Sequence, residues 1–126
     1  MDDYSKKLEN CFDEIMAISK NVLLKKNKEY SNGKDPLHQF KQISKDVDIS
    51  VEKAWGVTFS KGVGAIYRYI KDADKHTFEE YRDKDKNFQY INENIKTRIV
   101  DAINFLVFLY YMIEYDDPNN EKDNDK

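Results

Sequence analysis

Residues 91–115, INENIKTRIVDAINFLVFLYYMIEY, decide the fold. From Phe105 to Ile113 every side chain is apolar or aromatic, which a helix accommodates only when it is buried on all sides. The segment is therefore read as the central helix of a bundle, or as a seam between copies of the chain. It is well short of the roughly 20 residues that cross a bilayer, so no membrane span is expected. Its first half is different. Asn94, Thr97, Asp101 and Asn104 stand at i, i+3, i+7 and i+10 and share one helical face. An ionised carboxylate on a face leading into apolar turns is costly to bury unless it meets a cation, a metal or several donors. Asp101 thus calls for a partner. Lys61, Arg68 or Arg98 would serve a purely structural pair, and Glu93, eight positions earlier, joins the rim of any shared site.

Two more long helices lie upstream. Tyr4, Leu8, Cys11, Phe12, Ile15, Ile18 and Val22 repeat at three-and-four spacing, predicting a helix over about residues 3–26. On that stripe Cys11 reads as inert core packing. The period fails through residues 27–33, and Pro36 disfavours helix at Asp35, so a loop and a short helix over 37–45 are expected. The segment Asp48-Ile49-Ser50 supplies a helix cap. After it Val51, Trp55, Thr58, Phe59, Val63, Ile66, Tyr67 and Ile70 mark another helix. Gly56, Gly62 and Gly64 inside it each cost about 1 kcal/mol relative to Ala, which points to a close helix approach or to room for a ligand. Residues 71–88 form a charged excursion, in which Thr77 and Glu80 have capping-box spacing. Three long helices with one or two short ones make an all-α bundle, and the odd number of long helices predicts completion by a second copy, a homo-oligomer.

Composition agrees. The 126 residues suit one domain, read as 1–115 with a disordered acidic tail over 116–126. Four Gly and two Pro are too few for the many tight turns of a sandwich or barrel. The net charge of −3 equals that of the tail alone, with its five acids and two lysines, so the body is neutral and nucleic acid is an unlikely partner. One cysteine and an acidic N-terminus, lacking a secretory pattern, point to the cytoplasm.

Three constellations carry chemistry beside Asp101. Lys61 and Arg68 are seven apart with Gly64 between them, a spacing that leaves room for a phosphate between two cations; snorkelling at a bundle edge is the alternative. In Lys26-Asn27-Lys28-Glu29-Tyr30-Ser31 a carboxylate sits among donors beside an aromatic ring, so Glu29 could hold a metal and Tyr30 could stack on a base, or the block is a solvated helix end. Asn104 and Glu93 complete the polar face. Gly-rich phosphate loops and paired His at zinc spacing are absent from the sequence.

These blocks, together with Asp35-Pro36-Leu37-His38-Gln39-Phe40 and the run from Glu93 to Phe105, resemble the small, largely phage-encoded nucleotide modification associated domain 1 proteins. The layout is also similar to the all-α nucleotide pyrophosphatases of the MazG and dimeric dUTPase type. That resemblance implies a phage-encoded nucleotide-binding protein in the host bacterial cytoplasm. It would be a Mg²⁺-assisted nucleoside triphosphate pyrophosphohydrolase, with Glu29, Glu93 and Asp101 as metal ligands and Asp101 and Glu93 catalytic. Lys61, Arg68, Asn27, Tyr30 and Asn104 would take the nucleotide. Thr97 stands where such proteins often carry a further acid, and Lys96 and Gly62 also depart from the pattern, leaving a partly eroded site. A second reading is a non-enzymatic phage protein that binds and inhibits a host or defence component through the aromatics of the excursion, Phe78, Tyr81, Phe88 and Tyr90.

Overall fold

The structure, a computed structural model, describes residues 2–31, 35–78 and 95–115. It is all-α: α1 (Asp3–Ser31), α2 (His38–Val47), α3 (Val51–Lys71) and α4 (Ile95–Tyr115). Three helices are long and one is short, the architecture that the periodicities predict. The expected helix start at 91, the tail 116–126 and most of the charged excursion lie outside the described residues.

Local chemistry sets the helix ends. The Asp2 carboxylate accepts from the Ser5 amide at 2.7 Å and opens α1. That helix continues to Ser31, past the loss of apolar period at 27, because Lys25 to Glu29 are good helix formers that need no buried face. Asp35 organises the next turn. Its Oδ1 accepts from the Leu37 amide at 2.9 Å, and its Oδ2 takes the Lys41 ammonium at 2.7 Å in a half-buried pair. The cap expected at Ser50 is present, with its side chain accepting from the Lys53 amide. Between α2 and α3, Asp48 adopts a left-handed conformation (φ 54°), which an Asp tolerates better than most residues. The Thr77 hydroxyl accepts from the Asp74 amide and closes a turn, while Glu80 and the short helix expected after Thr77 lie outside the described residues.

The core is aromatic and lies where α2, α3 and α4 meet. Leu37, Phe40, Ala54 and Met112 are buried, with Trp55, Phe105, Phe108 and Tyr111 packed around them. Phe40 meets Phe105 at 5.9 Å and Phe108 edge-on at 5.7 Å, while Trp55 stacks on Phe59 at 4.8 Å. The Trp55 indole N–H donates to the Phe105 carbonyl at 2.8 Å, tying α3 to α4 across 50 residues of sequence. α1 packs on α4 through Ser19 and Val100, and its later residues meet the earlier ones of α4, so the two run in opposite directions.

Three expectations need correction. Residues 105–113 are not enclosed all round: Leu106, Val107, Tyr110 and Ile113 are exposed on the side of α4 away from the core. The stripe of α1 is likewise open over its first half, and Cys11 is exposed instead of packed. Nor do the α3 glycines mark close approach by another of the described helices. A Cβ at Gly56 or Gly62 would meet nothing within 4 Å, and one at Gly64 would meet only the Arg68 guanidinium. All three differences have one physical origin: periodicity shows which residues share a face, but not whether anything covers it. No helix among the described residues is long and apolar enough to cross a membrane.

Candidate functional site

The Asp35-Pro36 turn sets α2 against the gap between α1 and α4, and a pocket of about 290 Å³ opens there. Leu23, Pro36, Phe40, Phe105 and Phe108 give it an apolar lining. Lys26 and Asn27 from α1 and Asp101 and Asn104 from α4 add polar groups, and His38 and Gln39 stand at the start of α2. The antiparallel course of α1 and α4 brings these polar groups together, with the C-terminal turns of one beside the N-terminal half of the other.

Asn104 is the unusual member. Only 7% exposed, it donates from Nδ2 to the Ser19 carbonyl at 3.1 Å, and its Oδ1 has no hydrogen-bond partner among the described residues. A carbonyl can only accept, so the Ser19 oxygen fixes which end of the amide faces α1. The amide oxygen is therefore left as an unmatched acceptor, which in a buried position costs about 1–3 kcal/mol. The Ser19 hydroxyl beside the same contact is also buried without a partner.

Asp101 is half-exposed, not sunk in the bundle, and the cation beside it is Lys26, at 3.6 Å, in place of Lys61, Arg68 or Arg98. A pair this open to water holds its helices together by well under 1 kcal/mol. It lies at the mouth of the pocket, where it presents both signs of charge to a ligand.

Of the residues singled out in the sequence, Asn27, Asp101 and Asn104 line this one pocket. Lys61 and Arg68 do not; both are exposed on α3, with the Arg68 guanidinium folded over Gly64. Glu29 is exposed on α1 and is not part of the lining. Thr97 is buried on the same side of α4 as Asn104. Glu93, Asn94, Tyr81, Phe88, Tyr90 and the Tyr30 side chain lie outside what is described, as does the greater part of the surface invoked for a host protein. Sequence reasoning passed over Ser19, Lys26 as the partner of Asp101, and His38 and Gln39. The signal for the last two was the Asp-Pro turn, in which Asp35 Oδ1 accepts from the Leu37 amide just before α2 begins at His38.

The described residues do not assemble a magnesium site. No three His, Cys, Asp or Glu among them come together, and the pocket lining holds a single carboxylate, already beside an ammonium. A hard cation needs several oxygen ligands. Comparison with known proteins gives no match to this chain among protein families, characterised proteins or solved structures.

Proposed function

We propose that the chain is a nucleotide-binding protein, and that the pocket between α1, α2 and α4 receives the base and sugar of a nucleotide. The observation that carries this reading is the buried Asn104 with its unmatched Oδ1. An acceptor held in place by a bond on its other end is matched by a ligand that brings an N–H, such as a ring imide or an exocyclic amine. The phenylalanines of the lining suit a flat π-system. A volume near 290 Å³ sits at the small end of ligand pockets and admits a nucleoside but not a whole triphosphate. Phosphates would then leave through the mouth, past the Lys26 ammonium.

Lys26 and Asn27, His38 to Phe40, and Asp101, Asn104 and Phe105 of the lining belong to three of the blocks that resemble the phage nucleotide modification proteins, and this supports the same reading. Phosphohydrolysis would need carboxylates beyond Asp101, so the proposal is binding.

A nucleotide panel tests it, with thermal shift and pyrophosphate release in Mg²⁺ measured on the native chain, Asp101→Ala and Asn104→Leu. At least one nucleotide should raise the melting temperature of the native chain and fail to do so for Asn104→Leu. If none shifts the native chain, the reading falls. Pyrophosphate release that is lost in Asp101→Ala would extend it to catalysis.

A further inference from the structure

The face of α1 that packs on α4 at Ser19 carries on towards the N-terminus with none of the described helices covering it. Phe12, Leu8 and Tyr4 follow Ser19 at helical spacing on the same side and are 62%, 73% and 84% exposed. The two helices are unequal, 29 residues against 21, or about 43 Å against 31 Å at 1.5 Å per residue. The apolar half of α1 is thus an unpaired arm.

The outer face of α3 has the reciprocal character. Gly56, Ser60 and Gly64 recur every fourth residue and leave a shallow trough, in which added side chains would have open space or only the flexible Arg68 end. Val57, Val63, Tyr67 and Ile70 border it and are exposed. Charge separates the two surfaces. Residues 2–14 carry five acids and two lysines, with Glu9 and Asp13 along one flank of the stripe, whereas α3 carries Lys53, Lys61, Arg68 and Lys71 against Glu52. The lengths agree too: Tyr4 to Met16 and Val57 to Ile70 each span roughly 20 Å of helix.

We propose that the N-terminal half of α1 docks on the outer face of α3 in a second copy of the chain, and the reverse contact forms at the same time. The two contacts are related by a two-fold axis, so the assembly closes as a dimer. Tyr4, Leu8 and Phe12 expose roughly 400 Å² per copy, and with the receiving faces counted a dimer covers about 1,700 Å², the size of a stable interface. This contact also gives Gly56 and Gly64 their reason, since a Cβ there would hold the incoming helix away.

Sedimentation velocity on the full chain over a concentration series, with circular dichroism to confirm folding, tests the proposal. The native chain should be a dimer. Phe12→Glu and Tyr67→Glu, both at exposed positions, should each give a monomer of unchanged helicity, and Gly56→Leu should do the same by filling the trough. The charge reversal Lys61→Glu with Arg68→Glu should weaken Kd about tenfold, and adding Glu9→Lys with Asp13→Lys should restore it. A native chain that stays monomeric at every concentration overturns the proposal. So does a dimer that survives Tyr67→Glu and Gly56→Leu, which would leave the α1 stripes pairing with each other. Nucleotide binding is measured separately and does not enter these outcomes.

Discussion

Replacing Asn104 with leucine separates a structural amide from a ligand-binding one. The side chains share one branched shape of four heavy atoms, but the two methyls make leucine the larger, which at a site only 7% exposed costs about 1 kcal/mol of overpacking. Two further effects oppose each other. The bond from Nδ2 to the Ser19 carbonyl is lost, at about 0.5–1.5 kcal/mol. That carbonyl lies inside α1, where the helix supplies another donor, so no new orphan is created. Against this, the buried Oδ1 without a partner disappears, which relieves about 1–3 kcal/mol of desolvation. The expected balance is a ligand-free protein within about 1.5 kcal/mol of the native stability, a shift in Tm of no more than several degrees for a domain of this size. Urea unfolding of native and Asn104→Leu protein, at one protein concentration and without nucleotide, measures the difference, and an unchanged m-value verifies that the denatured state is comparable. A loss of about 3 kcal/mol or more would mean that the amide holds α1 on α4 and that its oxygen is satisfied in solution. The principal support for the binding site would then be gone.

Further outcomes follow from the same contacts. Leu37→Ala removes a fully buried side chain from the junction of α2, α3 and α4 and should cost about 3–5 kcal/mol, a large part of a typical domain's stability; a cost under about 1 kcal/mol would place the core elsewhere. Trp55→Phe deletes the donor to the Phe105 carbonyl along with part of the stacked ring, and chemical denaturation should register a loss of about 1–2 kcal/mol. At Asp2, the hydrogen bond from the Ser5 amide, with that from the Ser5 hydroxyl, holds the carboxyl below its ordinary pKa of 3.8. Its cap is therefore complete above that ordinary value and is lost as pH falls through the depressed one. The Ser5 amide resonance should shift with that titration, and Asp2→Asn should remove the inflection; an inflection above 3.8 would contradict the geometry.

Helix content, helix order and the cap at Ser50 were legible in the sequence because they depend on neighbours within a few positions. Apolar spacing defines a face, the hydroxyl of Ser50 reaches an amide three residues on, and proline excludes helix before it. The polar line through Thr97, Asp101 and Asn104 was legible for the same reason. Which groups these side chains meet was not. Lys26 reaches Asp101 and Asn104 reaches Ser19 because α1 and α4 run antiparallel at one particular register, and no local pattern encodes that register. Lys61 and Arg68 were paired correctly as residues of one face, but that face turned outwards. Burial shows the same division. Tyr4, Leu8 and Phe12 carry the same apolar code as Ile15 and Ser19's neighbours, yet the length mismatch of two helices leaves the first three open and covers the rest. The sequence by itself determined the elements and the chemical character of each side; the tertiary structure alone decided which sides meet, because hydrophobic burial is non-directional and only the packing of whole helices selects one set of contacts.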